Sequence, residues 1–442
     1  MSLTTKVLWA MLLGIIVGLI INIVGLNSQN SFVNEYIVGG LFFIVGKMFI
    51  TALKMLVVPL VFFSLISGVL GIGDIRKLGS VGLKSFALYI LTTALAITAA
   101  IGLASLVIPF FSTPIANEAT FTASEAPALS NVLINIIPGN VTHAFSSGNM
   151  LQIIFFTILL GISLLMVGKK AKIVAEGIEV MNEAMMNMVN IIMSVAPYAV
   201  FALLAKAIAE LGLDLLAQLA VYVIVVIAAL LFHLFGTLMF ILKLFSKLNP
   251  KMFLSKIRDA QIFAFSTSSS NATIPVTLRS VTKRMGVDNS VASFTVPFGA
   301  TINMDGTAIM QGVATVFIAN VYGVELGLSG YLTVILMSVL ASIGTAGVPG
   351  VGLIMLSMVF VQVGLPLEGI GLILGVDRLL DMIRTSVNIT GDAVVTCVVA
   401  KSEKEIDLEI FADENAGILE ELEIDDADEN ALAEVVHHIE DK

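Results

Sequence analysis

The chain has 442 residues, of which 57% are hydrophobic and 13% charged. A soluble domain carries about a quarter charged residues, so a water-soluble body is excluded, and disordered, collagen-like and disulfide-stapled classes fall with it. The net charge of −10 belongs to a tail: residues 401–442 hold sixteen Asp/Glu against three Lys/Arg, and the first 400 residues carry +3, with no basic surface for nucleic acid. One cysteine, Cys397, allows neither an internal disulfide nor a cysteine cluster for zinc.

Apolar runs long enough to cross a bilayer lie at 7–25, 36–70, 82–111, 151–168, 178–205, 218–242, 291–320 and 366–400. The first lacks a cleavage site and a strongly basic start, so it reads as a retained span with Trp9 at headgroup level. In the second, Lys54 and Pro59 mark a kink or domain contact, with snorkelling as the bland alternative for Lys54. Tyr89, Thr92 and Thr93 share a face of the third and, on residue type alone, read as packing polar groups. His143 and His233 stand isolated and read as structural.

Two more apolar stretches, 253–280 and 332–362, are interrupted by polar or glycine-rich sequence. Basic residues cluster at Arg76–Lys84, Lys169–Lys172, Lys243–Arg284 and Lys401–Lys404, and none occurs between Met285 and Val376. The positive-inside rule then gives eight crossings with both termini cytoplasmic and Lys206 as one lapse. That count holds only if both interrupted stretches re-enter the face they came from. The expected fold is an all-α polytopic membrane protein of eight transmembrane helices plus two re-entrant helical hairpins. Irregular backbone at membrane depth survives only where protein or water satisfies it, so the hairpin tips are candidates for chemistry.

The first tip reads Ser266-Thr267-Ser268-Ser269-Ser270-Asn271-Ala272-Thr273. Its hydroxyls and free helix-end N–H groups suit a carboxylate, against the alternative of a solvated loop. The second, Ala341 to Gly352, is rich in glycine and permits close backbone approach, or else small-residue helix packing. Within the seventh span, Asn303 and Asp305 offer hard oxygens of the kind that bind Na⁺. In the last span Asp377, Asp381, Arg384 and Asn388 share one helix face, and Asp392 extends it. Arg384 would read a carboxylate and Asp381 an ammonium, the alternative being an internal ion-pair network.

The strings SSSNATIPV, NMDGTAIMQG, SIGTAGVPGVG and DRLLDMIRTSVNITGD, in this order, resemble the sodium-dependent glutamate/aspartate transporter family of dicarboxylate/amino acid:cation symporters. The resemblance covers about residues 5–405. It implies no enzyme but a homotrimer in the lipid bilayer that moves substrate by an elevator motion, with the second hairpin as outer gate. Scaffold would come from 1–70 and 113–210, and a transport domain from 71–112 and 211–400, hairpins included, followed by an acidic cytoplasmic tail, 401–442. Substrate would meet Ser268, Ser269, Ser270, Thr307, Val348, Gly352, Asp381, Arg384, Thr385 and Asn388. The resemblance implies Na⁺ as coupling ion, at Gly299, Asn303, Asn388 and Asp392, at Thr301, Ser342, Ile343 and Thr345, and at Tyr89, Thr92, Thr93, Asn303 and Asp305.

Three departures bear on coupling. Animal relatives that also move a proton and potassium carry Glu at Gln311 and a second Arg at Met382, and archaeal relatives carry Arg at Thr267. The expected activity is Na⁺-driven import of aspartate or glutamate in a bacterial inner membrane, without animal-style proton coupling. The alternative is a Na⁺- or H⁺-coupled symporter of neutral amino acids or C4-dicarboxylates. Arg384 argues against neutral substrates and Asp381 against plain dicarboxylates. An intramembrane protease lacks its Ser/His or Gly-x-Gly-Asp arrangement, and closed-tipped hairpins favour a carrier over a channel. The tail, with Leu432, Val435, Val436 and Ile439 allowing a brief helix, is expected to be mobile, and truncation after about Glu409 to spare transport.

Overall fold

The computed structural model describes residues 3–27, 31–71, 75–111, 134, 136–345, 347 and 349–417. Helix dominates, and among the described residues the only β contact is an isolated antiparallel bridge between Val287 and Ile406. Helix α1 (Leu3–Ile23) is followed by a π-helical stretch, Val33–Phe42, that runs into α2 (Phe43–Gly71) through Pro59. Then come α3 (Ile75–Phe111), the short α4 (Val141–Ser147) and α5 (Met150–Val167). Asn140 and Asn149 cap the last two, each accepting a backbone N–H three residues on. A tight turn at Gly168–Ala171, bearing Lys169 and Lys170, leads to α6 (Lys172–Ser194) and then α7 (Ala196–Leu211).

The fifth apolar run, 178–205, is therefore not one helix. It breaks at Val195, because Pro197 in the first turn of α7 has no N–H to continue the preceding ladder. Helix α8 (Leu213–Phe232) passes through a π-helical stretch, His233–Leu238, into α9 (Met239–Ser246).

Two helix–turn–helix hairpins follow. In the first, α10 (Pro250–Thr267) meets α11 (Ser270–Arg279), which continues as a π-helical turn, Ser280–Arg284. In the second, α14 (Gly327–Gly344) meets α15 (Val351–Gln362). Between them the seventh apolar run is split into α12 (Asn289–Ile302) and α13 (Asp305–Val321). The longest late helix, α16 (Gly369–Glu403), ends where Lys404 turns left-handed at φ 65°, and α17 (Leu408–Ala412) follows.

Five stretches among the described residues are apolar and long enough to cross a membrane: Thr5–Ile23, Val33–Ser67, Ser80–Phe111, Gln152–Ser194 and Asp214–Ser246. Burial is inverted relative to a soluble protein. Trp9, Ile20, Phe110, Phe232 and Phe240 are exposed, while Asn303, Asp305, Arg384 and Asp392 are buried. A surface of this kind is at rest in hydrocarbon, with its polar groups turned to the bundle interior. Helix α1 packs mainly on α7, and α2 on α5 and α6, whereas α16 packs on α10, α12 and α13, and α13 on α3.

The chain after 400 is not all tail. α16 runs to Glu403, Asp407 caps α17 by accepting from Glu409 and Ile410, and Phe411 is buried. A cut after Glu409 would remove that buried ring, which runs against the expectation that it is harmless. Residues 432–439 lie outside the described residues.

Candidate functional site

Four helix ends converge inside the bundle. α10 stops because Ser268 adopts φ 52°, and Ser269 then caps α11 by accepting from the Ala272 N–H at 3.2 Å. α12 stops at Asn303, which is extended, and α13 restarts at Asp305, leaving Met304 non-helical between them. Such breaks orphan backbone groups, which need partners at this depth. Ser342 of α14 supplies two, donating to the Ile302 carbonyl at 2.6 Å and accepting from the Met304 N–H at 2.9 Å. Asn388 of α16 supplies a third, accepting from the Gly306 N–H at 2.7 Å. A Cβ at Gly306 would lie 2.6 Å from the Arg384 carbonyl, so glycine is what lets α13 sit on α16 here.

The hairpin tips touch. The Ser269 hydroxyl donates to the Gly347 carbonyl at 2.8 Å and the Asn271 N–H donates to the same oxygen at 3.1 Å. The charged face of α16 forms a second buried polar group. Arg384 Nη2 donates to Asp381 Oδ1 at 2.8 Å, and Nη1 forms an ion pair with Asp377 Oδ1 at 2.8 Å. Arg378 Nη1 is 3.7 Å from Asp381 Oδ2. The ion-pair network of the bland reading is thus real, but it is incomplete. Arg384 Nε, Asp381 Oδ2 and Ser268 Oγ are buried without hydrogen-bond partners. Buried donors and acceptors of both signs, left open side by side, fit a zwitterion with an extra carboxylate.

The expected substrate residues lie in the protein interior. Ser268, Ser269, Ser270, Thr307, Asp381, Arg384, Thr385 and Asn388 are all buried. A Cβ at Gly352 would meet Thr307 Cγ2 at 3.0 Å and Arg384 Nη2 at 3.7 Å, which joins the second hairpin to this cluster. Val348 lies outside the described residues.

Below the helix break is a second, oxygen-rich cluster. Thr93 donates to Asp305 Oδ1 at 2.7 Å, and Thr92 donates to Asn303 Oδ1 at 3.2 Å and to Asp305 Oδ1 at 3.3 Å. Asn303 Nδ2 donates to Asp392 Oδ1 at 3.0 Å, and the Tyr89 hydroxyl donates to the Thr295 carbonyl at 2.8 Å. A Cβ at Gly299 would lie 2.5 Å from Asp392 Oδ1 and 2.7 Å from the Tyr89 hydroxyl. Two carboxylates, an amide, hydroxyls and helix-end carbonyls form a hard-oxygen set suited to Na⁺. Thr301 and Thr345 each donate to a carbonyl of their own helix, at 3.0 and 2.7 Å, so of that expected group only Ser342 reaches across to the break. Ile343 is buried nearby in α14.

Sequence reasoning missed one member. His233, read as isolated, places Nε2 3.0 Å from Asp305 Oδ2, with both side chains buried. Asp305 therefore has a basic neighbour, supplied by the π-helical stretch after α8 rather than by its own span. The π-helical stretch that begins at His233 changes the helix phase at this point, a local device frequent at functional sites. No spacing in the sequence links two residues 72 positions apart.

Buried helix breaks, touching hairpin tips and a charged face inside an apolar helical bundle are the architecture of a polytopic membrane protein. The model of the sodium:dicarboxylate symporter family matches residues 3–402, and the chain belongs to that family. It is 33% identical to a proton/sodium-glutamate symport protein of Bacillus caldotenax, over 89% of this chain and 94% of the relative. It is also 33% identical to a C4-dicarboxylate transport protein of Bacillus subtilis and to a proton/glutamate-aspartate symporter of Escherichia coli, over 92% and 94% in each pair.

Proposed function

We propose that this chain is a secondary active symporter that imports acidic amino acids, aspartate or glutamate, driven by the Na⁺ gradient. One observation carries the reading: the buried, incompletely satisfied Arg384–Asp381 pair on α16. A guanidinium donates to a side-chain carboxylate, a carboxylate accepts an ammonium, and the N-terminus of α11 with Ser268, Ser269 and Ser270 receives the α-carboxylate. Thr307, Val348, Gly352, Thr385 and Asn388 complete the pocket. The first Na⁺ is assigned to Gly299, Asn303, Asn388 and Asp392, the second to Thr301, Ser342, Ile343 and Thr345, and the third to Tyr89, Thr92, Thr93, Asn303 and Asp305.

The finer architecture is eight spans with two re-entrant hairpins, in a homotrimer that works by an elevator motion. It is supported by the basic-loop alternation and by the packing preferences of α1, α2 and α5–α7 on one side and α3, α12, α13 and α16 on the other. The same alternation supports cytoplasmic termini, and the bacterial relatives support an inner membrane. The competing substrate is a C4-dicarboxylate, which one relative's name carries. Asp381 disfavours it, because an anion without an ammonium leaves that carboxylate facing like charge.

Equilibrium binding of labelled aspartate to the purified protein, competed by glutamate, serine and succinate with and without Na⁺, tests this reading. Aspartate and glutamate should bind only with Na⁺ and serine should fail. Tighter binding of succinate than of aspartate would transfer the assignment to dicarboxylates.

A further inference from the structure

Lys256 lies on α10, twelve positions before the serine tip, and is fully buried. Its ammonium donates to the Ile410 carbonyl at 2.8 Å, to the Asp413 carbonyl at 2.7 Å and to the Arg284 carbonyl. The Phe411 ring lies with its centroid 5.7 Å from Nζ. A lysine with all three donors spent on backbone carbonyls, under an aromatic ring, is fixed in place rather than solvated.

The carbonyls come from both sides of the hairpin's base. Arg284 ends the turn that follows α11, and Ile410 and Asp413 belong to the segment after α16. That segment lies along residues 286–288. Val287 bridges Ile406, the Asp288 N–H donates to the Glu405 carbonyl at 2.9 Å, and the Asp407 N–H donates to the Gly286 carbonyl at 2.8 Å. Gly286 has φ +73°, and a Cβ there would lie 2.5 Å from the Asp407 carbonyl oxygen, so only glycine admits the strand at this distance. Arg284 returns the link to α10, donating to Asp259 Oδ2 at 2.8 Å.

We propose that residues 404–413 form a strap that locks the base of the first hairpin, and that Lys256 is the positioning residue through which the strap holds the Ser268–Ser270 tip. The proposal rests on the substrate reading of that tip for its transport consequence, but not for its structural one. With its base closed at Lys256, the first hairpin behaves as one body with α16, and the serine donors are ordered before substrate arrives. Pre-organised donors bind more tightly because less ordering remains to be done on binding.

The chain contains its own reporter. Cys397 is its single cysteine, fully buried, with Sγ 3.6 Å from Sδ of Met285, the residue just before the strap contact. Its thiol reacts with a maleimide only when this region opens. The test compares the full-length wild type with Lys256→Met and with Gly286→Val, which leaves the lysine intact but pushes the strap away. Loss of one charge-assisted hydrogen bond is enough to shift a local opening equilibrium about tenfold, and Lys256→Met removes three.

Both variants should label at Cys397 about tenfold faster or more, and both should raise the apparent KM for aspartate more than they lower Vmax. Lys256→Arg, which keeps the donors, should fall closer to wild type on both measures. A change that merely lowers the amount of folded protein would reduce Vmax at unchanged KM. Wild-type labelling rates in both variants would overturn the strap, and faster labelling with unchanged KM would overturn the positioning role of Lys256. A wild type that takes up no acidic amino acid, with labelling still accelerated in both variants, would leave the strap standing and remove the substrate reading instead.

Discussion

Replacing Arg384 by cysteine removes the one guanidinium that touches both Asp377 and Asp381, each at 2.8 Å. Charge-assisted hydrogen bonds contribute about 1.5–3 kcal/mol each. Losing one such contact to a substrate carboxylate therefore weakens binding by about ten- to a hundredfold or more, and losing a bidentate pair by more again, at about 1.4 kcal/mol per decade. The same change also strips Asp377 of its buried partner, and uncompensated buried charges cost about 3–5 kcal/mol. Asp381 still has Arg378 at 3.7 Å. The informative variants are thus Arg384→Cys alone and Arg384→Cys with Asp377→Asn, the second relieving the orphaned charge. In both, serine, alanine and cysteine should gain as competitors of labelled aspartate, because no unpaired guanidinium rejects them. Asp381→Ala should instead damage acidic and neutral amino acids alike, since both present an ammonium. If the double variant folds and still prefers aspartate over serine by the wild-type margin, the carboxylate is read elsewhere, and the serine tip becomes its reader.

Asp392→Asn should shift the Na⁺ dependence of uptake to higher concentration before it affects folding, and an unchanged Na⁺ curve would remove Asp392 from the cation cluster. His233→Leu leaves Asp305 Oδ2 without the contact it makes at 3.0 Å and should raise the Na⁺ requirement about tenfold or more, with His233→Gln milder because it keeps a donor; equal Na⁺ curves for the two variants would refute the pairing. At the start of α12, the Ser290 hydroxyl and N–H donate to Asp288 at 2.6 and 2.8 Å and hold its carboxyl below the usual range. A lowered folded pKa contributes stability above the unfolded value of about 3.9 and loses it as pH falls through the folded one. Asp288→Ala should therefore lower Tm at neutral pH and lose that difference in acid, and a difference that persisted below pH ~2 would contradict the capping role.

Much of this site is legible without coordinates because the bilayer makes polar residues conspicuous. Asp377, Asp381, Arg384 and Asn388 announce one helix face by spacing alone, and Ser266 to Thr273 stands out between apolar arms. Asn303 and Asp305 mark a break because hard oxygens in an apolar run need unwound backbone or a partner beside them. What the sequence withholds is pairing across elements. The His233–Asp305 contact depends on a change of helix phase at residues 233–238, which no periodicity signals. The Lys256 cage is built from backbone carbonyls, which have no residue signature, so the segment after 400 reads as acidic and solvated although its first part is docked. The fifth apolar run looks continuous because its break at Val195 changes no hydropathy; only Pro197 hints at it.

Accumulation of labelled aspartate in proteoliposomes, with and without an inward Na⁺ gradient, tests the central claim most directly. Uptake above equilibrium should require the Na⁺ gradient, should be competed by glutamate, and should be untouched by serine and only weakly affected by succinate. Concentrative uptake at equal strength without Na⁺, or a preference for succinate over aspartate, would contradict the assignment of Asp381 to an ammonium and of the Asn303–Asp305–Asp392 cluster to sodium.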